Sequence, residues 1–142
     1  MIEYSYKFRI GYSETDKMGT VHHSKYPKYY ESARWELFRH IGIPYKELEN
    51  QGFLLPVISM NFKFIHTVKY DEVLTIKTTI ADLNGVKLNI TYRTYNSSNS
   101  LVNEGETLLA FVRSENFKPC APPRSVVSAI QKYSNHANET PT

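Results

Sequence analysis

The sequence predicts an α+β domain in which an antiparallel sheet of about five strands packs against one long helix. Several segments alternate apolar and polar residues with a period of two, which is typical of strands with one buried face. One segment early in the chain changes to apolar spacings of three and four, which is typical of an amphipathic helix. Short turn motifs separate the later strands, so these strands are expected to run antiparallel and to bury one face against the helix.

The first strand is expected at Tyr4–Gly11, where apolar and polar side chains alternate. The long helix is expected from Ser24 to Ile41. Ser24 is the expected N-cap, and Pro27 fits the first turn because its missing N–H needs no intrahelical partner there. Gly42 is expected to end the helix, since glycine readily adopts the left-handed conformation that follows many helices.

A short second helix is expected at Pro44–Gln51, and strands account for most of the remaining chain. Pro56 indicates an edge strand or a bend, because proline cannot donate a hydrogen bond to a sheet ladder. Asn84-Gly85 predicts a hairpin with a type I′ turn, since both residues tolerate positive φ. The other strands are expected within Leu54–Tyr70, Val73–Ala81, Val86–Tyr95 and Glu106–Arg113, with a turn at Asn96–Ser100.

Length and composition favour one domain at residues 1–133, followed by a flexible polar tail at residues 134–142. The chain has 142 residues, of which 41% are hydrophobic, and a formal charge of +3 that forms no stripe suited to nucleic acid. No apolar run approaches the roughly 20 residues of a membrane span, and the N-terminus does not resemble a signal peptide. We therefore expect a cytoplasmic protein that binds neither nucleic acid nor membrane.

The sequence lacks the usual patterns of metal and cofactor sites. Cys120 is the single cysteine, which excludes an intramolecular disulfide and a multi-thiolate zinc site. The histidines show no metal-ligand spacing, and the adjacent side chains of His22 and His23 are expected to diverge. Neither a glycine-rich phosphate loop nor a Gly-x-Ser-x-Gly elbow occurs. No metal and no cofactor are expected.

Potential catalytic groups concentrate in Tyr12–Tyr26, between the first strand and the helix. Asp16 precedes a helix N-terminus, where free N–H groups and the helix dipole favour negative charge. Two interpretations of Asp16 are open: it stabilises the turn, or it acts as a general base or nucleophile beside N–H donors that hold an oxyanion. Gly19 would allow a positive φ or a close approach to a ligand, and the backbone N–H of His23 is a candidate anion-binding group.

A longer motif begins in this stretch and continues into the helix and the later strands. Its residues are Tyr12, Glu14-Thr15-Asp16, Gly19, Val21, His23 and Tyr26, then Tyr30-Glu31, Ala33-Arg34 and Gly42, then Asp71-Glu72-Val73-Leu74, Asn84-Gly85 and Asn103-Glu104-Gly105-Glu106. The motif closely resembles the 4-hydroxybenzoyl-CoA thioesterase-like family of acyl-CoA thioesterases. The resemblance covers nearly the whole chain, as far as Pro122-Pro123. Its first part is fairly specific, whereas the later strands are similar mainly in pattern.

This resemblance implies the hot-dog fold, in which a sheet wraps around a long helix, and it implies hydrolysis of an acyl-CoA substrate. Asp16 would attack the thioester carbonyl or activate water, and the backbone N–H of His23 would polarise the thioester oxygen. A homodimer or homotetramer is implied, with no cofactor. The implied substrate-binding residues are Gly19, Val21, Tyr26 and Glu31.

Other activities remain open at this point. The Glu14-Thr15-Asp16 sequence is also similar to acyl-ACP thioesterases of the same fold, but those carry an asparagine pair where this chain has His22-His23. A protein that binds acyl thioesters without cleaving them is a further alternative. Hot-dog dehydratases use a different histidine-bearing motif, which this chain lacks. The length of the acyl group depends on pocket depth, which the sequence does not give.

Overall fold

The computed structural model describes residues 2–139. Within this range the chain forms three helices and seven strands, separated by short connections. In chain order they are β1 (Ile2–Arg9), α1 (Tyr26–His40), α2 (Tyr45–Asn50), β2 (Phe53–Leu54), β3 (Val57–Phe64), β4 (Val73–Asn84), β5 (Lys87–Tyr95), β6 (Leu101–Ala110), β7 (Val112–Arg113) and α3 (Arg124–Glu139).

Five of the strands form one antiparallel sheet in the order β1-β4-β5-β6-β3, and β2 pairs with β7 in a separate ribbon. Helix α1 packs on the inner face of the sheet, against β1 and β4. Tyr30, Ala33 and Leu37 recur at spacings of three and four along α1, and all three are fully buried. The predicted α+β class and the hot-dog arrangement of a sheet around one long helix are both confirmed.

The start of α1 differs from the sequence prediction. Ser24 does not cap the helix; it lies in a 3-10 turn, His23–Lys25, that precedes α1. Lys25 occupies the N-cap position and makes no side-chain cap hydrogen bond. The prediction failed because a separate 3-10 turn, which has its own N-cap residue, lies directly before α1. Pro27 does lie in the first turn of α1, as expected.

The β4–β5 hairpin is present, but its turn lies one residue later than predicted. Asn84 pairs with Lys87, which leaves Gly85 and Val86 as the two turn residues. Only Gly85 in this turn has a positive φ, of 63°. Strand β4 contains a bulge between Ile80 and Asp82. The turn therefore uses glycine at its first central position, which fits a type II′ turn and not the predicted type I′ turn.

The start of β6 and the last helix, α3, also differ from expectation. Strand β6 begins at Leu101, five residues before the predicted start at Glu106. Helix α3 was not predicted; it reaches Glu139 and so enters the stretch predicted as a tail, while residues 140–142 lie outside the described residues. No helix in the described range is long and apolar enough to cross a membrane.

A buried polar network joins α1 to the sheet. The Tyr30 ring stacks on the Tyr92 ring at 4.4 Å, and its hydroxyl lies 3.0 Å from the Thr94 hydroxyl and donates to the Asn103 side-chain oxygen. Arg34 donates from Nε to the Tyr45 hydroxyl at 2.9 Å and from Nη1 to the Tyr92 hydroxyl at 3.0 Å. These bonds satisfy polar groups that would be costly to bury alone. They also fix how α1 sits on the sheet.

Gly105 on β6 allows Tyr30 to lie against the sheet. A Cβ atom at Gly105 would overlap the Tyr30 ring, coming within 3.0 Å of Cδ2, and would lie 3.2 Å from Cδ1 of Phe62. Tyr30 is fully buried and Phe62 is partly buried against the core, so neither ring can move aside without breaking other contacts. We expect Gly105→Ala to lower the free energy of unfolding by about 1–3 kcal/mol, the usual cost of overpacking.

Denaturant unfolding followed by circular dichroism measures this loss. Gly11→Ala is the matched control, because Gly11 has an ordinary φ of −81° and its Cβ would meet nothing closer than 3.4 Å. The control should change stability by less than about 1 kcal/mol. Equal unfolding midpoints for the two variants would contradict the packing argument.

Candidate active site

The loop between β1 and α1 is built around Asp16. The Asp16 Oδ1 atom accepts hydrogen bonds from the N–H groups of Met18 at 2.9 Å and Thr20 at 3.1 Å. Its own N–H donates to the Thr20 carbonyl at 2.8 Å, and its carbonyl accepts from Gly19 N–H at 3.0 Å. This is the local turn that an aspartate side chain typically makes with the residues after it. The Oδ2 atom makes no hydrogen bond within the described residues, so one carboxylate oxygen is left for chemistry.

The same loop is tied to the segment that follows β3. Thr15 pairs with Val21 across the loop, and Thr20 pairs with Lys69. The Val21 N–H donates to the Val68 carbonyl at 2.8 Å. These bonds hold the two sides of the loop together and fix them against residues 68–69, which places the Asp16 carboxylate at a defined point on the surface.

Gly19 is required by the shape of this loop. Its φ is 75°, and an added Cβ would lie 3.3 Å from the ring of Tyr70. A residue with a side chain would therefore be strained in its backbone and crowded by the ring. Gly19 does not itself line the cleft described below, so it shapes the loop and need not contact a ligand.

An open cleft of about 310 Å³ lies beside Asp16. One wall comes from the loop and the start of α1, and the other comes from the end of β3 and the residues after it. Its lining residues are Asp16, Val21, His22, His23, Tyr26, Phe64, Ile65, His66, Thr67 and Val68. The mixture of one carboxylate, several imidazoles and apolar side chains suits an apolar ligand that carries a reactive polar group.

His23 lines this cleft, and its backbone N–H is a free donor within the described residues. It begins the 3-10 turn that leads into α1. Its N–H makes no hydrogen bond with any other residue in the described part of the chain, as is usual for the first N–H groups of a helical segment. Its ring lies 4.1 Å from the His22 ring and 6.2 Å from the Phe64 ring, measured between centroids. The two imidazoles are thus close neighbours. The prediction that these adjacent side chains diverge is wrong.

Tyr26 closes the inner side of the cleft and is only 4% exposed. Its ring packs edge-on against Phe64, with 5.7 Å between the ring centroids. Burial, helped by the negative charge of Glu72, raises the pKa of Tyr26 to about 12. Its hydroxyl therefore stays protonated and neutral at physiological pH. Tyr26 can donate a hydrogen bond in the cleft, but it does not supply a base.

The structure brings together four of the six site residues predicted from sequence, and Gly19 and Glu31 are the exceptions. Asp16, Val21, His23 and Tyr26 all line the cleft. Glu31 is exposed on α1 and does not line it, so a role in substrate binding stays a prediction for Glu31. Among the described residues, no group of His, Cys, Asp and Glu side chains is placed to hold a metal ion.

The second wall of the cleft was missed by sequence reasoning. Phe64, Ile65, His66 and Thr67 lie about 50 residues after Asp16 in the chain, and the Thr20–Lys69 pairing brings them to it. The available signal was the group of apolar residues Phe62, Phe64 and Ile65. They lie at the end of β3, which is an edge strand of the sheet. Apolar side chains on an edge strand need a partner, and the cleft uses some of them.

Comparison with known proteins extends these observations. The sequence matches the thioesterase-like superfamily over residues 10–130. It is 33% identical over 124 residues to the acyl-CoA thioester hydrolase YbgC of Escherichia coli O6:H1, across 87% of this chain and 92% of that protein. It is also 33% identical over 113 residues to the putative acyl-CoA thioesterase YneP of Bacillus subtilis, across 80% of this chain and 82% of that protein.

A solved structure agrees with these sequence matches. The DHNA-CoA thioesterase from Staphylococcus aureus superposes with a TM-score of 0.90 and 28% sequence identity, covering 100% of this chain and 97% of that chain. The family match includes the whole Asp16 loop, both walls of the cleft and four of the five strands of the sheet, β3 to β6. This chain therefore belongs to the thioesterase-like superfamily.

Proposed function

We propose that this protein is an acyl-CoA thioesterase, which hydrolyses acyl-CoA to a free carboxylic acid and CoA. The observation that supports the proposal is that Asp16 and His23 line the same cleft, while the Asp16 Oδ2 atom and the His23 N–H have no hydrogen-bond partner in the described residues. Relatives named as acyl-CoA thioesterases support the substrate class. Val21, Phe64 and Ile65 would receive the acyl group.

The chemistry needs few groups because a thioester is already activated. The thiolate of CoA is a good leaving group, so no strong general acid is needed to protonate it. Asp16 Oδ2 would either attack the carbonyl carbon or remove a proton from an attacking water. The carbonyl oxygen would become an oxyanion and accept a hydrogen bond from His23 N–H. Collapse of this intermediate breaks the C–S bond and releases the CoA thiolate, which takes up the proton that water loses. If Asp16 is the nucleophile, the acyl group stays on its carboxylate as an anhydride, and one water then hydrolyses this anhydride to the free acid and the Asp16 carboxylate.

A panel of thioesters tests the proposal. Purified protein is mixed with acyl-CoAs from acetyl to palmitoyl and with benzoyl-CoA, and released thiol is followed with a chromogenic disulfide. Cys120 is partly exposed and will react with the reagent, so its signal is subtracted from a blank without substrate. We expect catalytic thiol release from at least one substrate. Saturable binding of the acyl-CoAs without release would instead favour a non-catalytic binding protein.

A second comparison separates CoA from acyl carrier protein as the acyl donor. The same acyl group is offered on each carrier at equal concentration. We expect a higher kcat/KM with the CoA thioester, in line with the names of the relatives. The opposite ranking would favour an acyl-ACP thioesterase.

We also propose that the protein forms a homodimer through strand β3. This strand is one edge of the sheet and pairs only with β6, so its outer N–H and C=O groups have no partner strand in the described chain. Large apolar side chains are exposed along this edge: Ile58 is 52% exposed, Met60 42% and Phe64 52%. An exposed apolar edge strand is a site for pairing with another chain. A two-fold axis beside β3 would join the two sheets and extend the cleft, which at about 310 Å³ is small for a ligand pocket.

The dimer proposal predicts that charges on β3 separate the subunits. In a two-fold arrangement, Ile58→Glu with Met60→Glu places like charges on both copies of the same edge. We expect light scattering after size exclusion to give twice the chain mass for wild type and the chain mass for the double variant. Lys7→Glu on β1, the opposite edge strand, is the control and should leave the mass at the wild-type value. An unchanged mass for the double variant would move the interface elsewhere.

A further inference from the structure

The side chain of His22 accepts a backbone hydrogen bond at the start of the 3-10 turn His23–Lys25. Its Nδ1 atom accepts a hydrogen bond from the Ser24 N–H at 3.2 Å, and it lies 2.7 Å from the Ser24 Oγ atom. The backbone of His22 is extended, with φ −71° and ψ 141°, as expected for an N-cap residue. His22 thus caps the 3-10 turn His23–Lys25, which precedes α1.

This cap controls the residue that carries the proposed oxyanion donor. The Lys25 N–H donates to the His22 carbonyl at 3.0 Å, so His22 holds both Ser24 and Lys25 of the turn. His23 lies between His22 and Ser24 in the chain, and its N–H direction depends on the turn. The His22 N–H in turn donates to the Glu14 carbonyl at 3.4 Å, which ties the turn to the Asp16 loop.

The cap works in only one protonation state of the ring. To accept from the Ser24 N–H, Nδ1 needs a free lone pair, so the proton of the neutral ring is on Nε2. When the ring gains a second proton, Nδ1 becomes a donor. It can still donate to Ser24 Oγ, but it then faces the Ser24 N–H with a proton of its own. Acid therefore removes the backbone cap while it leaves the side-chain contact possible.

We propose that His22 is a positioning residue for thioester hydrolysis: its neutral imidazole holds the turn that presents the His23 N–H to the substrate. The proposal rests on the function proposed above, and it adds a loss of activity in acid that is specific to His22. The ring of His22 contacts the His23 imidazole and the Ser24 hydroxyl, and Asp16 and His66 line the same cleft.

Two substitutions at position 22 test the proposal. In His22→Asn, the side-chain oxygen can take the place of Nδ1 and accepts at every pH. In His22→Ala, the acceptor is lost. Loss of a cap of this kind typically costs about 1 kcal/mol, so we expect His22→Ala to lower kcat about 5-fold at pH 8 with little change in KM. We expect His22→Asn to keep most of the wild-type kcat.

The pH profile separates positioning from a structural role. The asparagine oxygen accepts a hydrogen bond at every pH, whereas Nδ1 accepts only while it carries no proton. We expect wild-type kcat to fall as the pH is lowered, and the fall to be clearly shallower in His22→Asn. Melting temperatures are measured in parallel, so that a loss of folded protein is not read as a loss of rate.

Ser24→Ala is the matched control, since it removes the Oγ contact and keeps the N–H that the cap requires. It should retain the wild-type kcat and pH profile. A wild-type kcat in His22→Ala, or identical acid profiles for wild type and His22→Asn, would overturn the proposal. Absence of thiol release by the wild-type protein is a different result, because it would contradict the proposed function itself.

Discussion

Asp16→Asn should remove most of the thioester hydrolysis while leaving the fold intact. We expect kcat/KM to fall by roughly 10²–10⁴-fold, the range that positioned acid–base groups contribute. Asparagine is close to aspartate in shape, and its side-chain oxygen can keep the two hydrogen bonds that Oδ1 accepts from Met18 and Thr20. What it loses is the charge and basicity of the free oxygen Oδ2. The loss would then belong to chemistry and not to the loop.

The measurement is steady-state thiol release from the best substrate of the panel, with melting temperature and oligomer mass as checks on the fold. Glu14→Gln is a matched control, because Glu14 is a second carboxylate in the same loop and its oxygen accepts from Gly11 N–H at 2.8 Å. Glutamine can preserve that bond, so activity should stay near wild type. Near wild-type turnover of every cleaved substrate by Asp16→Asn would exclude Asp16 from the bond-breaking step.

His23→Pro is expected to have the next largest effect, because proline removes the backbone N–H. Loss of one oxyanion donor usually lowers kcat by about 10²–10³-fold. Proline should fit this position: His22 before it has φ −71° and ψ 141°, which is within the range that a following proline allows. The His23 N–H is used by no other described residue, so removing it breaks no hydrogen bond of the fold.

His23→Ala is the comparison that gives this experiment its meaning. It removes the imidazole and keeps the N–H, so we expect kcat within a few-fold of wild type. The readout is kcat for both variants on the same substrate, with circular dichroism to confirm that His23→Pro is folded. A loss in His23→Ala as large as that in Asp16→Asn would give the catalytic role to the ring.

The fold could be predicted from sequence because its main signals are local. The period of two in β1, β4 and β5 and the spacing of Tyr30, Ala33 and Leu37 depend only on which face of each element is buried. Turn positions were less accurate, since the bulge in β4 sets the pairing that makes Gly85-Val86 the turn. A bulge leaves no clear trace in a single sequence. Helix α3 was missed because the polar composition of its second half favoured a tail.

The site could be predicted only in part, for a similar reason. Asp16, Val21, His23 and Tyr26 are close in sequence, so one motif identified one wall of the cleft. The wall formed by Phe64, Ile65 and His66 depends on long-range pairing with the loop. The cap by His22 was missed because the sequence offered Ser24, a more common capping residue, two positions later. The first error concerns long-range pairing, and the second concerns a local cap made by a less common residue type.

The bonding of the loop around Asp16 has a consequence for the energetics of binding. Ordering a backbone residue costs about 1–2 kcal/mol in conformational entropy. In residues 15–21 this cost is met when the chain folds, since the Thr15–Val21 and Thr20–Lys69 pairs are made within the chain itself. Substrate binding then needs no further ordering of the carboxylate. The entropy lost on binding should come mainly from the acyl chain, so longer and more flexible acyl groups should bind with a less favourable entropy than a rigid aryl group of equal apolar area.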